Sequence, residues 1–276
     1  MIGAIIGDMV GSRFEFKENK SKDFVFLTPS CTYTDDSMMT IAIARAFILR
    51  RGRWTEPDFR ECVVDQMVSM GRRYAFRNTW GRRFYQWFMG DHKPTGSCGN
   101  GAAMRVSPVG WIADSEDEVR CFSRLVTVVS HDHPEAVKGA EAIAMAIYLA
   151  RIGRGREEIR ARMIGYYPEI AQMPVDGIRP SYGLDEWGHW ITCQGSVPQA
   201  IVSFLDSVDF EDAVRNAVSL GGDTDTQGCM AGAIAEAYYG VDPALEEQAM
   251  AYLPEDMAST CCAFRVVRRG REGRAK

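Results

Sequence analysis

Apolar residues recur at helical spacing along most of this 276-residue chain, whereas the alternating patterns of β-strands are nearly absent. The spacing predicts helices over eight segments: 37–50, 56–70, 134–151, 156–166, 196–206, 210–219, 226–239 and 243–252. The helix over 196–206 is predicted to begin at Ser196, with Pro198 in its first turn. Loops are predicted at 16–34, 90–107 and 168–195, and we therefore expect an all-α domain.

The amino-terminal segment carries a glycine at every fourth position, at Gly3, Gly7 and Gly11. On a helix these positions share one face, and the missing side chains let a second helix approach closely. The segment has no basic leader and is interrupted by Asp8, so we do not expect a secretion signal. No apolar run approaches the roughly 20 residues that span a bilayer. We expect a cytoplasmic protein without a membrane partner.

The amino-acid composition limits which partners and metal sites are expected. The net charge of −5 argues against a duplex-DNA binder. Eight cysteines without a C-x-x-C pair, and only four histidines, favour free thiols over a structural zinc site. No internal repeat or low-complexity linker marks a boundary, so residues 1–264 are expected to form one domain. Residues 265–276 are rich in arginine and are expected to form a flexible basic tail.

Two acidic segments each precede a predicted helix. The first is Thr34-Asp35-Asp36-Ser37, and the second is Gly221-Gly222-Asp223-Thr224-Asp225-Thr226. One carboxylate at a helix start is explained by capping. Two carboxylates at each of two helix starts are more than capping requires. Because their like charges repel, a cation would be needed to hold them together. Carboxylate and hydroxyl oxygens point to Mg²⁺ or Mn²⁺, with room for two ions.

Three further segments carry weaker signals. Glu15 follows the glycine-bearing helix and, taken alone, would be an ordinary surface residue. Asp8, two turns upstream, could support the site or cap another helix. The segment Gly96–Arg105 offers clustered backbone N–H groups of the kind that bind phosphate, and it is too glycine-rich to be expected in the core. His131 lies just before a helix start, where a structural hydrogen bond is the simpler explanation.

Taken in order, these segments resemble those of the ADP-ribosylglycohydrolase family, the relatives of dinitrogenase reductase-activating glycohydrolase. The matching stretches span residues 3 to 240: GAIIGDMVGSRFE, TDDS, GSCGNGAAMRVSPVG, SHDHPEAVKGA and SLGGDTDTQGCMAGAIAEAYYG. The ordered pair TDD[ST] and GGD[ST]DT is highly specific. The resemblance implies a compact, orthogonal multi-helix bundle with two Mg²⁺ ions at helix N-termini, where Mn²⁺ could substitute.

The resemblance also assigns roles by motif position. The implied metal ligands are Thr34, Asp35, Asp36, Asp223, Asp225 and Thr226. Asp225 matches a carboxylate that bridges the two ions. The implied substrate-binding residues are Gly96, Ser97, Cys98, Gly99, Asn100 and His131. The first five match a loop for the pyrophosphate and distal ribose, and His131 matches a ribose-side contact. The implied catalytic residues are Asp35 or Asp36 as a base, with Glu15 gating or assisting.

The implied reaction is the release of ADP-ribose from a modified target, with ADP-ribosylarginine on protein as the first expectation. Serine, O-acetyl-ADP-ribose and nucleic-acid linkages stay open because the metal ligands do not distinguish them. A magnesium-dependent nucleotide phosphohydrolase and a non-catalytic ADP-ribose-binding protein are alternatives of other classes. Tyr182 and Trp187 lie in a loop suited to stacking adenine, although both would also suit a core.

Overall fold

The computed structural model describes residues 1–51, 55–186 and 188–272, so Trp187 lies outside the described residues. No strand occurs in these ranges, and no helix in them is long and apolar enough to cross a membrane. The expected all-α fold is confirmed. The helices are α1 (Ile2–Ser12), α2 (Asp35–Leu49), α3 (Glu56–Arg73), α4 (Arg82–Met89), α5 (Ser107–Ile112), α6 (Glu116–Thr127), α7 (Pro134–Arg151), α8 (Arg156–Ile164), α9 (Val175–Ile178), α10 (Cys193–Leu205), α11 (Phe210–Val218), α12 (Thr224–Tyr239), α13 (Pro243–Met250) and α14 (Glu255–Glu272).

The predicted helices agree closely with the observed ones, and seven of the eight begin within two residues of the predicted start. The exception is α10, which begins three residues before Ser196. The hydroxyl of Thr192 accepts a hydrogen bond from the amide of Gly195 and caps the helix there, so Pro198 lies inside the helix instead of in its first turn. The position of the cap, and not that of the proline, sets this helix start.

The glycines of α1 lie against a second helix, as their spacing predicted, and the structure identifies that helix as α12. A Cβ added at Gly7 would lie 1.9 Å from the carbonyl oxygen of Gly228. One added at Gly3 would lie 2.4 Å from the carbonyl oxygen of Gly232, and one at Gly11 would lie 2.3 Å from that of Thr224. These contacts are to backbone atoms, which cannot rotate away. The two helices therefore approach as closely as they do only because α1 carries glycines on this face.

Helix α12 is the central element of the fold. All of its residues from Thr224 to Ala235 are buried, and it packs against α1, α7, α10 and α11. Because every side of the helix meets another helix, its sequence is apolar or small all round, without a polar face. The polar exceptions are at its start, where the second acidic segment enters the helix, and at Glu236 near its end, which accepts bonds from the amino terminus and from the amide of Gly3.

Several features differ from the predictions. The apolar spacing missed α4, α5, α6 and α14, as well as the single turn α9. Helix α14 continues past residue 265 to Glu272, and the guanidinium of Arg268 lies 4.4 Å from the ring of Trp111. Residues 273–276 lie outside the described part of the chain. The expectation that segment 96–105 stays out of the core is wrong for its second half, because Ala102, Ala103 and Met104 are core residues.

Candidate metal and substrate site

The first acidic segment forms the start of α2 and is held by a carboxylate from α1. Thr34 is the N-cap residue, and its hydroxyl accepts a bond from the amide of Asp36. The buried carboxylate of Asp8 accepts bonds from the amide and hydroxyl of Thr34, at 2.9 and 2.7 Å, and from the amide of Ser37, at 3.0 Å. The hydroxyl of Ser37 also donates to it. Asp8 thus fixes the turn that presents Asp35 and Asp36.

The second acidic segment forms the start of α12 after two residues with positive φ, Gly221 at +78° and Gly222 at +75°. Side chains rarely adopt this conformation, so glycine is required for the turn that leads into the helix. The hydroxyl of Thr224 donates to the carbonyl oxygen of Gly11 at 2.9 Å, which anchors the turn on α1. The hydroxyl of Thr226 donates to Asp36 at 3.2 Å and joins the two acidic segments.

The carboxylates of the two segments meet in one cluster. One carboxylate oxygen from each of Asp8, Asp36 and Asp225 lies within 4.8 Å of the others, and the same holds for Glu15, Asp223 and Asp225. Asp225 belongs to both groups. Two oxygens on opposite sides of one Mg²⁺ lie about 4.2 Å apart, so each group has the dimensions of a cation site.

Burial, together with the crowding of acids, raises the pKa values of the clustered carboxyl groups. Burial is the largest cause for each, followed for Asp36 by the charge of Asp225, and the pKa values of Asp35, Asp36 and Asp225 lie well above the ordinary range. Burial raises the pKa of Asp223 to about 6, although a hydrogen bond from Asn100 opposes the shift. Without a neutralising partner, this cluster holds protons that ordinary carboxyl groups lose.

The donor set fits a hard divalent cation. Oδ1 of Asp36 is buried and has no hydrogen-bond partner among the described residues, which is costly for a carboxylate unless a cation binds it. The other members offer carboxylate and hydroxyl oxygens, the ligands that Mg²⁺ and Mn²⁺ prefer. Asp8 fits less well as a ligand because its two oxygens already accept four hydrogen bonds. We assign it a supporting position.

Glu15 lies just beyond the end of α1, on the chain that covers the cluster. It is half-buried, and burial together with the charges of Asp225 and Asp8 raises its pKa to about 8. The next residue, Phe16, has a φ of +59°, which is uncommon for a bulky side chain. The exposed ring of Phe16 meets the ring of Trp190 edge-on, with centroids 5.7 Å apart. Glu15 thus stands between the carboxylates and an aromatic rim.

A pocket of about 650 Å³ opens over the cluster. Ten of the residues singled out in the sequence line it: Glu15, Asp35, Asp36, Ser97, Gly99, Asn100, His131, Asp223, Asp225 and Thr226. Thr34, Gly96 and Cys98 do not line it. The structure therefore brings most of the predicted positions to one surface, with the carboxylates at one end and the glycine-rich loop beside them.

The glycine-rich loop is less open than its sequence suggests. The amide of Gly96 donates to the carboxylate of Asp132 at 2.8 Å, and that of Gly99 donates to the hydroxyl of Ser97 at 3.1 Å. These two amides are therefore engaged within the protein. Asn100 instead faces the acidic cluster, and its side-chain amide donates to Asp223 at 2.7 Å. The loop is joined to the cluster through this bond.

Sequence reasoning missed several residues of the pocket. The segment 78–84, Arg105 and Trp190 all line it. No motif marks segment 78–84 or Trp190, whereas Arg105 ends the glycine-rich segment but has no role assigned from the sequence. Trp190 is an aromatic residue in the same loop as the two suggested for adenine. Tyr182 does not line the pocket, and its hydroxyl donates to the carbonyl oxygen of Gly195 at 2.8 Å. Among the described residues of that loop, Trp190 is the better placed aromatic.

Comparisons with known proteins agree with one another. A family model described as ADP-ribosylglycohydrolase matches residues 1–271. The ADP-ribosylhydrolase ARH3 of Mus musculus is 27% identical over 330 residues, covering 96% of this chain and 86% of that protein. The ADP-ribosylarginine hydrolase Tri1 of Pseudomonas putida is also 27% identical, covering 87% and 70%. A solved chain of an ADP-ribosylglycohydrolase-related protein complex has a TM-score of 0.66 at 21% identity, covering 96% of this chain and 95% of that one, and it supports the fold.

Proposed function

We propose, from the premise that the chain belongs to the ADP-ribosylglycohydrolase family, that it is a Mg²⁺-dependent enzyme releasing ADP-ribose from a modified target. The family and the class of hydrolase expected from the sequence are both confirmed by the match over residues 1–271. The observation that carries the rest of the proposal is the buried carboxylate cluster beneath the pocket, with the unpartnered oxygen of Asp36 inside it.

The cluster would hold the cations. The proposed ligands are Thr34, Asp35, Asp36, Asp223, Asp225 and Thr226. Asp225 suits a position shared between two ions because it belongs to both carboxylate groups. Bound Mg²⁺ would supply positive charge that neutralises the carboxylates, orients the hydroxyl groups of a ribose and polarises water. Mn²⁺ has similar ligand preferences and is expected to substitute.

The protein's own residues would orient the sugar and stabilise developing charge. Hydrolysis at C1 of a ribose passes through a state with oxocarbenium character, and carboxylates beside that carbon stabilise it electrostatically. Asp35 and Asp36 line the pocket, and either could accept a proton from the attacking water. Glu15 lies at the same end with a raised pKa, as suits a group that exchanges a proton with water or leaving group near neutral pH.

The pocket suits the remainder of an ADP-ribosyl group. Its volume of about 650 Å³ lies within the usual range for sites that enclose a ligand of this size. Ser97, Gly99 and His131 line the wall beside the carboxylates, where the diphosphate and ribose would lie. The rim formed by the exposed ring of Phe16 and the half-buried ring of Trp190, which meet edge-on, offers apolar surface at the opening.

We propose ADP-ribosylarginine on protein as the first linkage to test. The similarity to a protein named as an ADP-ribosylarginine hydrolase, at 27% identity over 87% of this chain, supports it. The similarity to ADP-ribosylhydrolase ARH3 is as high, so serine, O-acetyl-ADP-ribose and nucleic-acid linkages belong in the same panel. Free ADP-ribose is the expected product in each case.

The test is release of free ADP-ribose from arginine-, serine- and DNA-linked substrates and from O-acetyl-ADP-ribose, with Mg²⁺ and with EDTA. We expect Mg²⁺-dependent release from one linkage, and its loss in Asp225→Asn. Asp242→Asn is the matched control, because Asp242 is an exposed N-cap residue of α13 and asparagine caps equally well.

Each other outcome would count against the proposal. Release of phosphate or AMP would indicate the phosphohydrolase. Binding of ADP-ribose without turnover, by protein that holds metal, would indicate a binding protein. Full activity of Asp225→Asn would exclude the carboxylate cluster as the metal site.

A further inference from the structure

A buried cation lies beside the pocket without an acidic partner. Arg105 is fully buried, and no carboxylate pairs with it in the described part of the chain. It donates instead to three carbonyl oxygens, those of Gly101, Val126 and Thr127, and to the hydroxyl of Ser130 at 2.9 Å. Burial lowers its pKa to about 9, so the group still carries its charge at neutral pH. Because an arginine side chain can only donate hydrogen bonds, each group that bonds to Arg105 must accept.

The bond from Arg105 decides where the proton of Ser130 points. Arginine has no acceptor atom, so the serine oxygen must accept in this contact, and its own proton remains to be donated. Ser130 is buried, and the other partner of its hydroxyl is Nδ1 of His131, at 2.8 Å. The serine oxygen has a second lone pair, but if it also accepted from Nδ1, its buried proton would have no acceptor among the described residues. We therefore take the serine to donate and Nδ1 to accept without a proton of its own. The single proton of the neutral imidazole is then on Nε2.

The charge of His131 follows from the same contacts. A second proton on the ring would face the hydroxyl proton of Ser130 and add a positive charge close to Arg105. Burial and the charge of Arg105 both lower the pKa of His131 well below the ordinary value. The ring is therefore neutral at physiological pH, with one tautomer favoured.

Nε2 of His131 faces the pocket between two glycines of the loop. A Cβ added at Gly101 would lie 3.4 Å from Nε2, and one added at Gly99 would lie 3.6 Å from it. His131 lines the pocket, and within the described residues no hydrogen bond to Nε2 is made. The N–H group is thus directed to the space where a ligand would lie, and the two glycines keep that space open.

We propose that Arg105 and Ser130 are positioning residues that hold His131 as the neutral Nε2–H tautomer, a fixed hydrogen-bond donor to an oxygen of the ligand. That the ligand is an ADP-ribosyl group rests on the proposed function, whereas the tautomer does not. A fixed donor selects for acceptor oxygens, such as those of a diphosphate or a ribose hydroxyl, and gives His131 no part in proton exchange during the reaction.

The tautomer can be observed directly by ¹⁵N NMR of the histidine rings. The chain has four histidines, and His131→Gln identifies the signal of His131 by its loss. We expect an unprotonated Nδ1 and a protonated Nε2 that do not change between about pH 5 and 8, across the ordinary histidine pKa. A His131 signal that titrates near pH 6.5, or that shows the proton on Nδ1, would overturn the proposal.

Ser130→Ala removes the donor to Nδ1 and leaves the other bonds of Arg105 in place. We expect averaged signals from the two ring nitrogens and an about three- to tenfold higher Kd for ADP-ribose, with Mg²⁺ affinity unchanged. Ser123→Ala is the matched control, because Ser123 is equally buried and its hydroxyl donates to the carbonyl oxygen of Arg120. An unchanged tautomer in Ser130→Ala would show that another contact holds the ring.

Titration with ADP and with ADP-ribose identifies the acceptor. A change at Nε2 with ADP assigns the diphosphate, and a change with ADP-ribose alone assigns the distal ribose. No change with either ligand, when both bind, would overturn the donor role. Failure to hydrolyse any linkage would contradict the proposed function and leave the tautomer result standing.

Discussion

Replacement of Gly7 by alanine tests whether the close approach of α1 and α12 supports the candidate metal site. The new methyl group would lie 1.9 Å from the carbonyl oxygen of Gly228, whereas ordinary contact begins at about 3.4 Å. The helices would have to separate by about 1.5 Å, because the atoms that the methyl group meets, in Gly228 and Cys229, belong to the backbone and cannot rotate away. Asp8, which follows Gly7, would move with α1 relative to Asp225 on α12.

We expect a large loss of stability and of metal affinity together. Overpacking of this kind costs about 3 kcal/mol, at the upper end of the usual range because rigid backbone is involved. For a chain of this size, that corresponds to a fall in Tm of about 6–12 °C. Displacement of the residues that support metal ligands typically weakens metal binding about tenfold or more.

Thermal unfolding and Mg²⁺ titration by calorimetry measure both effects. Gly155→Ala is the matched control, because Gly155 has a φ of −67° and the nearest atom to an added Cβ is 3.9 Å away. Gly155 is the N-cap residue of α8, where alanine is less favourable than glycine, so that variant should lose about 0.5–1 kcal/mol, several times less than Gly7→Ala. A Tm of Gly7→Ala within about 2 °C of the wild type, with unchanged Mg²⁺ affinity, would refute the reasoning.

Three further predictions concern the acidic cluster. Asp8→Asn should lower activity and Tm, because the NH₂ group of asparagine would face the N–H and O–H donors of the first acidic turn. Circular dichroism and ADP-ribose release measure the two effects. An unchanged variant would contradict the supporting role of Asp8. The pKa values of Asp223 and Glu15 are raised to about 6 and about 8 in the folded protein, so the metal-free protein should lose stability as pH rises through these values. The increase in Tm that Mg²⁺ gives should therefore be larger at pH 8 than at pH 5. An equal increase at both pH values would contradict this prediction. Asn100→Asp should weaken Mg²⁺ binding or require a higher pH for it, since a carboxyl group would then face Asp223 at the 2.7 Å contact; calorimetry at two pH values measures this.

The sequence predicts local features of this protein better than long-range ones. The first acidic turn is recognisable in the sequence because Thr34 and two aspartates precede an apolar run, and in the structure Thr34 is the N-cap residue of α2. The glycines of α1 predicted a close helix contact, but spacing alone does not identify α12 as the partner. Asp36 and Asp225 come close together because of that tertiary contact. The sequence indicates this only indirectly, since paired like charges at two helix starts would repel unless a cation held them together. Their role as metal ligands stays a prediction.

The missed helices show where apolar spacing fails. Helix α6 could have been found, since Ser115 and Glu118 form the S-x-x-E pattern of a helix start, and Ser115 does cap the helix. Helix α5 has only six residues, too few for a periodic pattern to appear. The pairing of Asn100 with Asp223 joins residues 123 positions apart, and no local rule gives such a contact.

The contact between α1 and α12 also bears on the order in which the protein folds. The bond from Thr224 to Gly11 spans 213 positions, and the two acidic turns are separated almost as widely. Loops of this length close late, because their entropy must be lost before the contacts they bring together are gained. The helices of the intervening chain can form early, whereas we expect the candidate cation site to assemble only with this long-range closure. Competence to bind a divalent ion should therefore report on the final stage of folding, and not on the helical content reached before it.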